Sequence, residues 1–404
     1  MNKNTKLRDL KQLLYTAAYH PHEIENFLNI DKKSFLTFDP ELGYIQTDYI
    51  FRDGMEETLS EYVYEHKLGM ARKIVNYPER PCRINTYGDS FTQSAQVSDG
   101  ETWQEFLAMH FREPIRNYGV GGYGVYHAYL RAMRTEKVKK LAAKYIVLNI
   151  WDDDHMRSLD AARWIRVAWM CRDLPRGKKG GYPVHGFPWC HLRYDTAKRK
   201  WLELPGICKK ASDLRKLVGK ENYYNTFKDD SVAHLCALRE GGVAPVEECE
   251  RLAKAFGIKV NLRNPKTRQK DAEKLHIAYG IRSTMYVLNK LRAWCKKTDR
   301  KLMILLTHDF AMTRDHLKGK PRFDQEFVDF LKKEKYEYVD ILTKKKEDFK
   351  SFKGSAQDFL RQFWVSRAGA QVFGHYNPYG NFWYAHAIRK ELVNWLDPKP
   401  PAYR

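Results

Sequence analysis

The chain is expected to fold as an α/β protein: a three-layer α/β/α sandwich around a mostly parallel central sheet, with a basic subdomain inserted into it. Three observations predict this. From residue 81 onward, short runs rich in β-formers alternate with stretches of helical periodicity, and strands separated by crossover helices imply a parallel sheet covered on both faces. The alternation stops near residue 160 and resumes near 275. A chain of 404 residues that is 43% hydrophobic and 14% aromatic can bury a large core.

Residues 1–80 are expected to form a mainly helical wrap. LRDLKQLLYTAAYHPHEIENFL has helical patterning, FDPELGYIQTDYIFRDG is punctuated by Pro and Gly, and MEETLSEYVYEHKLGMARKI suggests a further amphipathic helix. The catalytic domain is expected over 81–160 and 275–397. There RINTY, IRNYGV, KYIVLNIW, KLMILLTH and YEYVDIL are the expected strands. ETWQEFLAMHF, YHAYLRAMRTEKVKKLAA, IRSTMYVLNKLRAWCKKT, FDQEFVDFLKKEK and NFWYAHAIRKELVNWL are the expected helices. The interruption, 161–274, contains LRYD and KWLEL, a hairpin around TAKR. An insertion on the loop edge of a sheet becomes a lid or a substrate wall.

The net charge is +21, and residues 161–300 alone carry 31 Lys and Arg against 14 Asp and Glu. Such a field attracts polyanions, and it equally fits a solvated basic surface with no dedicated partner. No nucleic-acid-binding motif is present, so specific nucleic-acid recognition ranks last among the function classes. No apolar run approaches the roughly 18–20 residues that cross a bilayer, and the N-terminus lacks an apolar core with a small-residue cleavage site. The sequence as it stands is therefore expected in the cytoplasm, with no membrane span. Seven cysteines, scattered and without a C-x-x-C pair, suggest reduced thiols in ordinary positions.

The chemistry is concentrated in four segments. RINTYGDSFTQS is a strand that breaks at Gly88 and delivers Ser90 at its carboxyl end, the edge where open α/β sheets bind ligands. Ser90 there serves either as a nucleophile or as the N-cap of the following helix. NYGVGGYG (117–124) leaves backbone N–H groups uncovered beside a helix start, IVLNIWDDDHMR (146–157) is a strand running into a polar turn, and GHYNPYGNFWYAHAI (374–388) puts His375 in a turn before the last helix.

The order G-D-S, N-x-G-x-G-G, strand into polar turn, and late His before a helix resembles the SGNH (GDSL) hydrolase superfamily, over about residues 81–158 and 275–397. The resemblance implies a flavodoxin-like fold and an esterase that needs no cofactor or metal. Ser90 matches the nucleophile and also one oxyanion donor through its own N–H. Gly122 matches a second donor, with Gly121 the alternative one position away, and His375 matches the general base.

Two departures stand out. Asp153 falls where the family offers an Asn side chain to the oxyanion, and an ionised carboxylate only accepts. Either Asp153 is protonated, as burial beside Asp152 and Asp154 would favour, or it orients a group such as Arg157, or the run Asp152–His155 binds a cation. Asn149, inside the strand, is the lesser candidate for the donor. The acid expected three residues before His375 is replaced by Val372, so the histidine is held by a backbone carbonyl or by a carboxylate from elsewhere, Asp358 being the nearest upstream.

His308, at the end of KLMILLTH, is a candidate substrate contact on the same edge, beside the plainer reading as a structural histidine. The resemblance implies carbohydrate O-deacetylation, lipid or aryl ester hydrolysis, thioester hydrolysis or acyl transfer, and the motifs do not separate these. Trp164, Trp169, Trp189, Trp201, Tyr194, Tyr223 and Tyr224 in the basic insertion favour an O-acetylated or acidic carbohydrate, unless they fill the insertion's own core. A non-catalytic polyanion binder on a degenerate hydrolase scaffold is the alternative from another class.

Overall fold

The computed structural model describes residues 9–29, 34–167, 186–368 and 370–404. Its strands, in chain order, are β1 (Leu36–Asp39), β2 (Gly43–Gln46), β3 (Tyr49–Phe51), β4 (Ser60–Tyr62), β5 (Tyr64–Glu65), β6 (Ala71–Arg72), β7 (Ile84–Tyr87), β8 (Arg116–Asn117), β9 (Tyr145–Trp151), β10 (His191–Asp195), β11 (Lys200–Leu204), β12 (Lys301–Thr307), β13 (Tyr338–Asp340), β14 (Trp364–Arg367) and β15 (Ala370–Tyr376). The chain divides into two compact units. One comprises residues 1–45 and 156–283, the other 46–155 and 284–404. The stretch expected as a single N-terminal wrap is thus divided between them at residue 45.

The second unit holds a seven-stranded sheet in the order β13-β12-β9-β7-β8-β6-β5. Strands β13, β12, β9, β7 and β8 run parallel, and β6 and β5 add an antiparallel edge. This is the mixed α/β architecture that the alternation predicts. Helices Trp103–Phe111 and Pro378–Trp395 cover the sheet, and Trp103, Leu107, Phe111, Trp383, Tyr384 and Ile388 pack with Ile84, Val147, Met303, Leu305 and Val339 in one apolar core. From β7 the chain passes to β8 on one side and then to β9 on the other, which makes the carboxyl end of β7 a topological switch point, where a crevice opens.

The helix expected over 55–74 is absent. That stretch forms β4, β5, a short 3-10 turn at His66–Leu68 and β6. Tyr62 and Tyr64 alternate with more exposed neighbours, and Arg72 points inward. Arg72 is 1% exposed. Its guanidinium pairs with Asp99 at 2.6 Å and donates to the carbonyls of Gln93 (2.6 Å), Ser94 (2.9 Å) and Val97 (2.5 Å). One buried cation thereby satisfies the carbonyls of an irregular loop that the helix assignment could not have anticipated.

The first unit contains helices Leu10–Ala17, Pro21–Leu28, Ser231–Arg239 and Glu247–Phe256, and the β10–β11 hairpin in the expected register, Asp195 opposite Lys200. Among the described residues no helix is long and apolar enough to cross a membrane.

Removing one partner of a buried ion pair strands the other charge. Arg72→Met is therefore expected to cost about 3–5 kcal/mol of stability in urea unfolding; a loss below about 1 kcal/mol, the range of an exposed pair, would show that the clamp on residues 93–97 is not structural.

Candidate active site

Strand β7 delivers Ser90 through a turn that only glycine can make. Gly88 has φ +153°, and a Cβ on it would lie 2.6 Å from the Asn149 carbonyl of β9 and 2.1 Å from Thr92 Oγ1. The next residue, Asp89, caps the short helix Ser90–Gln93 by accepting from Phe91 N at 2.9 Å. The capping role that the sequence left open for Ser90 therefore falls to Asp89. The Ser90 hydroxyl instead lies 2.7 Å from His375 Nε2, with Asp89 Oδ2 at 3.3 Å.

His375 stands on a strand, not in the expected turn. It is the penultimate residue of β15, whose Tyr376 pairs with Trp364 of β14. Asn377 then caps the helix Pro378–Trp395, accepting from Gly380 N at 2.8 Å. The Phe91 ring lies against the imidazole, 5.0 Å between centroids, so the residue after the serine also packs beside the histidine.

Asp358 does not orient this histidine. It accepts from its own helix cap, Ser355 Oγ at 2.6 Å, and its side chain is 59% exposed. A residue that the sequence reading missed stands there instead. Gln96 Oε1 lies 2.9 Å from His375 Nδ1 and accepts from His375 N at 2.7 Å. An amide oxygen only accepts, so the ring proton sits on Nδ1 and the Nε2 lone pair faces the serine hydroxyl. Gln96 carries no motif that would have exposed it. It lies in the loop gripped by Arg72 and has φ +71°.

At the neighbouring strand ends, the parallel register Thr307 opposite Trp151 brings His308 and Asp152 out beside one another. Asp152 as a residue is half-exposed, but its Oδ1 is sealed from solvent without a hydrogen-bond partner, and Oδ2 accepts from Asp309 N at 3.2 Å. The sealed oxygen governs its titration: burial, and then the Asp309 charge, push the carboxyl up to about 8. Burial thus acts on Asp152 in the way the sequence suggests for its neighbour Asp153.

His308 is 2% exposed, and its Nε2 lies 3.1 Å from Asp324 Oδ2, itself held by Arg322. Burial works against the imidazolium, but Asp324 outweighs it and raises the histidine's pKa. The substrate contact expected of His308 gives way to this buried ion pair. Arg157 falls in the other unit, 2% exposed. Among the described residues no three His, Cys, Asp or Glu side chains gather to hold a metal ion, so the run Asp152–His155 makes no cation cluster there. Asn149 is buried within β9, its Oδ1 2.7 Å from the Thr307 hydroxyl and 3.2 Å from that of Tyr384.

In the first unit the aromatic residues of the insertion turn toward one another. Trp164, Trp189 and Tyr223 are buried, Tyr19 meets Trp164 and Tyr223 edge-on, and Trp201 stacks on Tyr279. They fill that unit's own interior, while Trp169 lies outside the described residues. Several of the cations are paired locally, Arg193 with Asp230, Arg215 with Glu25, and Arg263 with Glu247 and Glu250.

No family model matches this chain, and no curated protein matches it. Solved structures do match. One is a protein from Desulfitobacterium hafniense DCB-2 assigned to a lipolytic G-D-S-L family; it covers 77% of this chain and 99% of its own, with a TM-score of 0.33 and 6% identity.

The raised pKa of Asp152 has a signed consequence. Between the unfolded value near 3.9 and about 8 the native state binds more protons than the unfolded state, so this group's contribution to stability falls as pH rises through that window. Asp152→Asn, neutral throughout, is expected to unfold several degrees above the wild type at pH 9 and level with it near pH 4. Thermal unfolding across that range checks this, and an offset independent of pH would contradict it.

Proposed function

We propose that this protein is a serine ester hydrolase in which Ser90 is the nucleophile and His375 the general base. The observation that carries the reading is the 2.7 Å approach of Ser90 Oγ to an imidazole nitrogen whose other ring nitrogen is already committed as a donor. That is the arrangement nucleophilic catalysis requires: nucleophile and base within hydrogen-bond reach, and the base oriented by a third group.

In this scheme Ser90 Oγ adds to the ester carbonyl carbon while its proton passes to His375 Nε2. The tetrahedral oxyanion collapses, the C–O bond to the alcohol breaks, and Nε2 returns the proton to the departing oxygen. Water then attacks the acyl-serine by the same route, releasing the carboxylic acid and restoring the serine.

The oxyanion needs preorganised donors. The backbone N–H groups of Ser90 and Gly122 enter no described hydrogen bond, whereas that of Gly121 points at Gln46 Oε1 at 3.4 Å. This favours Gly122 over its neighbour for the second donor. A protonated carboxyl can also donate, and within the acid run Asp152 is held toward that form by burial.

The preference for an acetylated or acidic carbohydrate drew on insertion aromatics that pack inside their own unit.

Hydrolysis of p-nitrophenyl acetate tests the reading. The wild type is expected to exceed buffer, and Ser90→Ala and His375→Ala each to lose roughly 10³-fold or more in kcat. Equal rates for wild type and Ser90→Ala would overturn it and leave the non-catalytic binder.

A further inference from the structure

We infer that Gln96 is the positioning residue for His375, so that the site is a Ser–His–Gln relay whose third member is a neutral amide instead of a carboxylate. The inference rests on the serine-hydrolase reading and names a group that the reading does not supply.

Three observations support it. The first is the pair of contacts from one oxygen, Gln96 Oε1, to His375 N and Nδ1 at 2.7 and 2.9 Å, which fixes the ring's rotation as well as its tautomer. The second is that the amide itself cannot turn over. Gln96 Nε2 donates to the Asp53 carbonyl at 2.9 Å, and Gln96 N donates to the Tyr62 hydroxyl at 2.5 Å. A flipped amide would set its oxygen against the Asp53 carbonyl and its NH₂ against the His375 N–H, losing both bonds at once. The third is the space provided for it. A Cβ on Gly374, the residue before the histidine, would lie 2.5 Å from Gln96 Oε1, so a side chain there would push the amide oxygen out of its place against the histidine.

The loop that carries Gln96 is built to hold it. Ser94 and Gln96 both have positive φ, +57° and +71°. That backbone is unfavourable for residues with a side chain, and it is secured by Arg72, whose guanidinium binds the carbonyls of Gln93, Ser94 and Val97 on either side. Strain held in this way beside a reactive group is characteristic of functional sites.

A neutral acceptor does half of what a carboxylate does. It keeps the proton on Nδ1 and the lone pair on Nε2, but it places no negative charge beside the imidazolium formed when Ser90 gives up its proton. A carboxylate at the same distance would favour the charged ring. Gln96→Glu should therefore draw His375 toward protonation at higher pH, and Gln96→Met, similar in length but unable to accept strongly, should release the tautomer.

The experiment is long-range ¹H–¹⁵N correlation NMR on the full chain with labelled histidine, His375 being assigned by its loss in His375→Gln, together with kcat and KM for p-nitrophenyl acetate over pH 5–9. The wild type is expected to show the Nδ1–H tautomer. Gln96→Glu is expected to raise the protonation midpoint of His375 by about one to two pH units, carrying the acid limb of kcat/KM with it. Gln96→Met is expected to give a tautomer mixture and to lower kcat about 10²-fold with KM changed less than about threefold. Should Gln96→Met fail to fold, Gln96→Glu decides alone through the midpoint. An unchanged tautomer and midpoint in the variants, with unaltered kcat, would overturn the inference. The NMR readouts need no turnover, so a wild type without esterase activity would remove the hydrolase reading while still deciding what holds His375.

Discussion

The 2.7 Å approach of Ser90 Oγ to His375 Nε2 joins positions 285 residues apart, and the rest of the second unit can be understood as what makes that approach possible. Neither partner could bring it about alone. Ser90 is fixed by a glycine turn pressed against β9 and by an aspartate that takes over the capping duty a serine would otherwise perform. His375 is fixed by a hairpin whose far end is tied into the last helix through Asn377. Phe91, the residue after the serine, packs its ring between the imidazole and Trp151, on which it stacks at 5.4 Å, so apolar packing and the polar contact are parts of one construction.

The electrostatics of the surrounding sheet edge give the neutral amide a physical context. Adjacent strands β9, β12 and β13 end in or run into Asp152, Asp309 and Asp340, and Asp324 lies buried against His308 and Arg322. Asp324 is held by Arg322 and by His308, whose charged form it favours, while burial and the Asp309 charge keep the proton on Asp152 to an unusually high pH. A further buried carboxylate behind His375 would have needed its own partner. Gln96 instead has its acceptor and its donor both satisfied, which gives orientation without a desolvated charge.

Much of this was legible in the sequence because it is local. RINTY followed by Gly-Asp-Ser announces a strand, a tight turn and a displayed serine within eight residues, and KYIVLNIW and KLMILLTH are apolar runs that only central strands carry. The β10–β11 hairpin followed from alternation around TAKR. The failures share a physical cause, which is dependence on partners distant in the chain. Residues 60–72 have a pattern compatible with a helix, yet Tyr62 and Tyr64 face inward beside an Arg72 that serves a loop more than twenty residues away. Gln96 is an ordinary polar residue until positive φ values and Arg72 aim it at a histidine 279 positions later. Asp358 looked suitable because a carboxylate was wanted, but its helix cap claims it. The aromatic residues of the insertion suggested a binding surface, and mutual packing accounts for those most deeply buried.

The central claim is that Ser90 is made nucleophilic by His375, and the most direct measurement is the site of covalent capture by a serine-directed fluorophosphonate. Phosphonylation replaces fluoride with the serine oxygen and requires an activated hydroxyl, so peptide mapping by mass spectrometry reads activation without assuming a substrate. The account predicts a single adduct on the peptide containing Ser90, with labelling largely lost in His375→Ala. Absence of labelling, or an adduct on another residue, would contradict it.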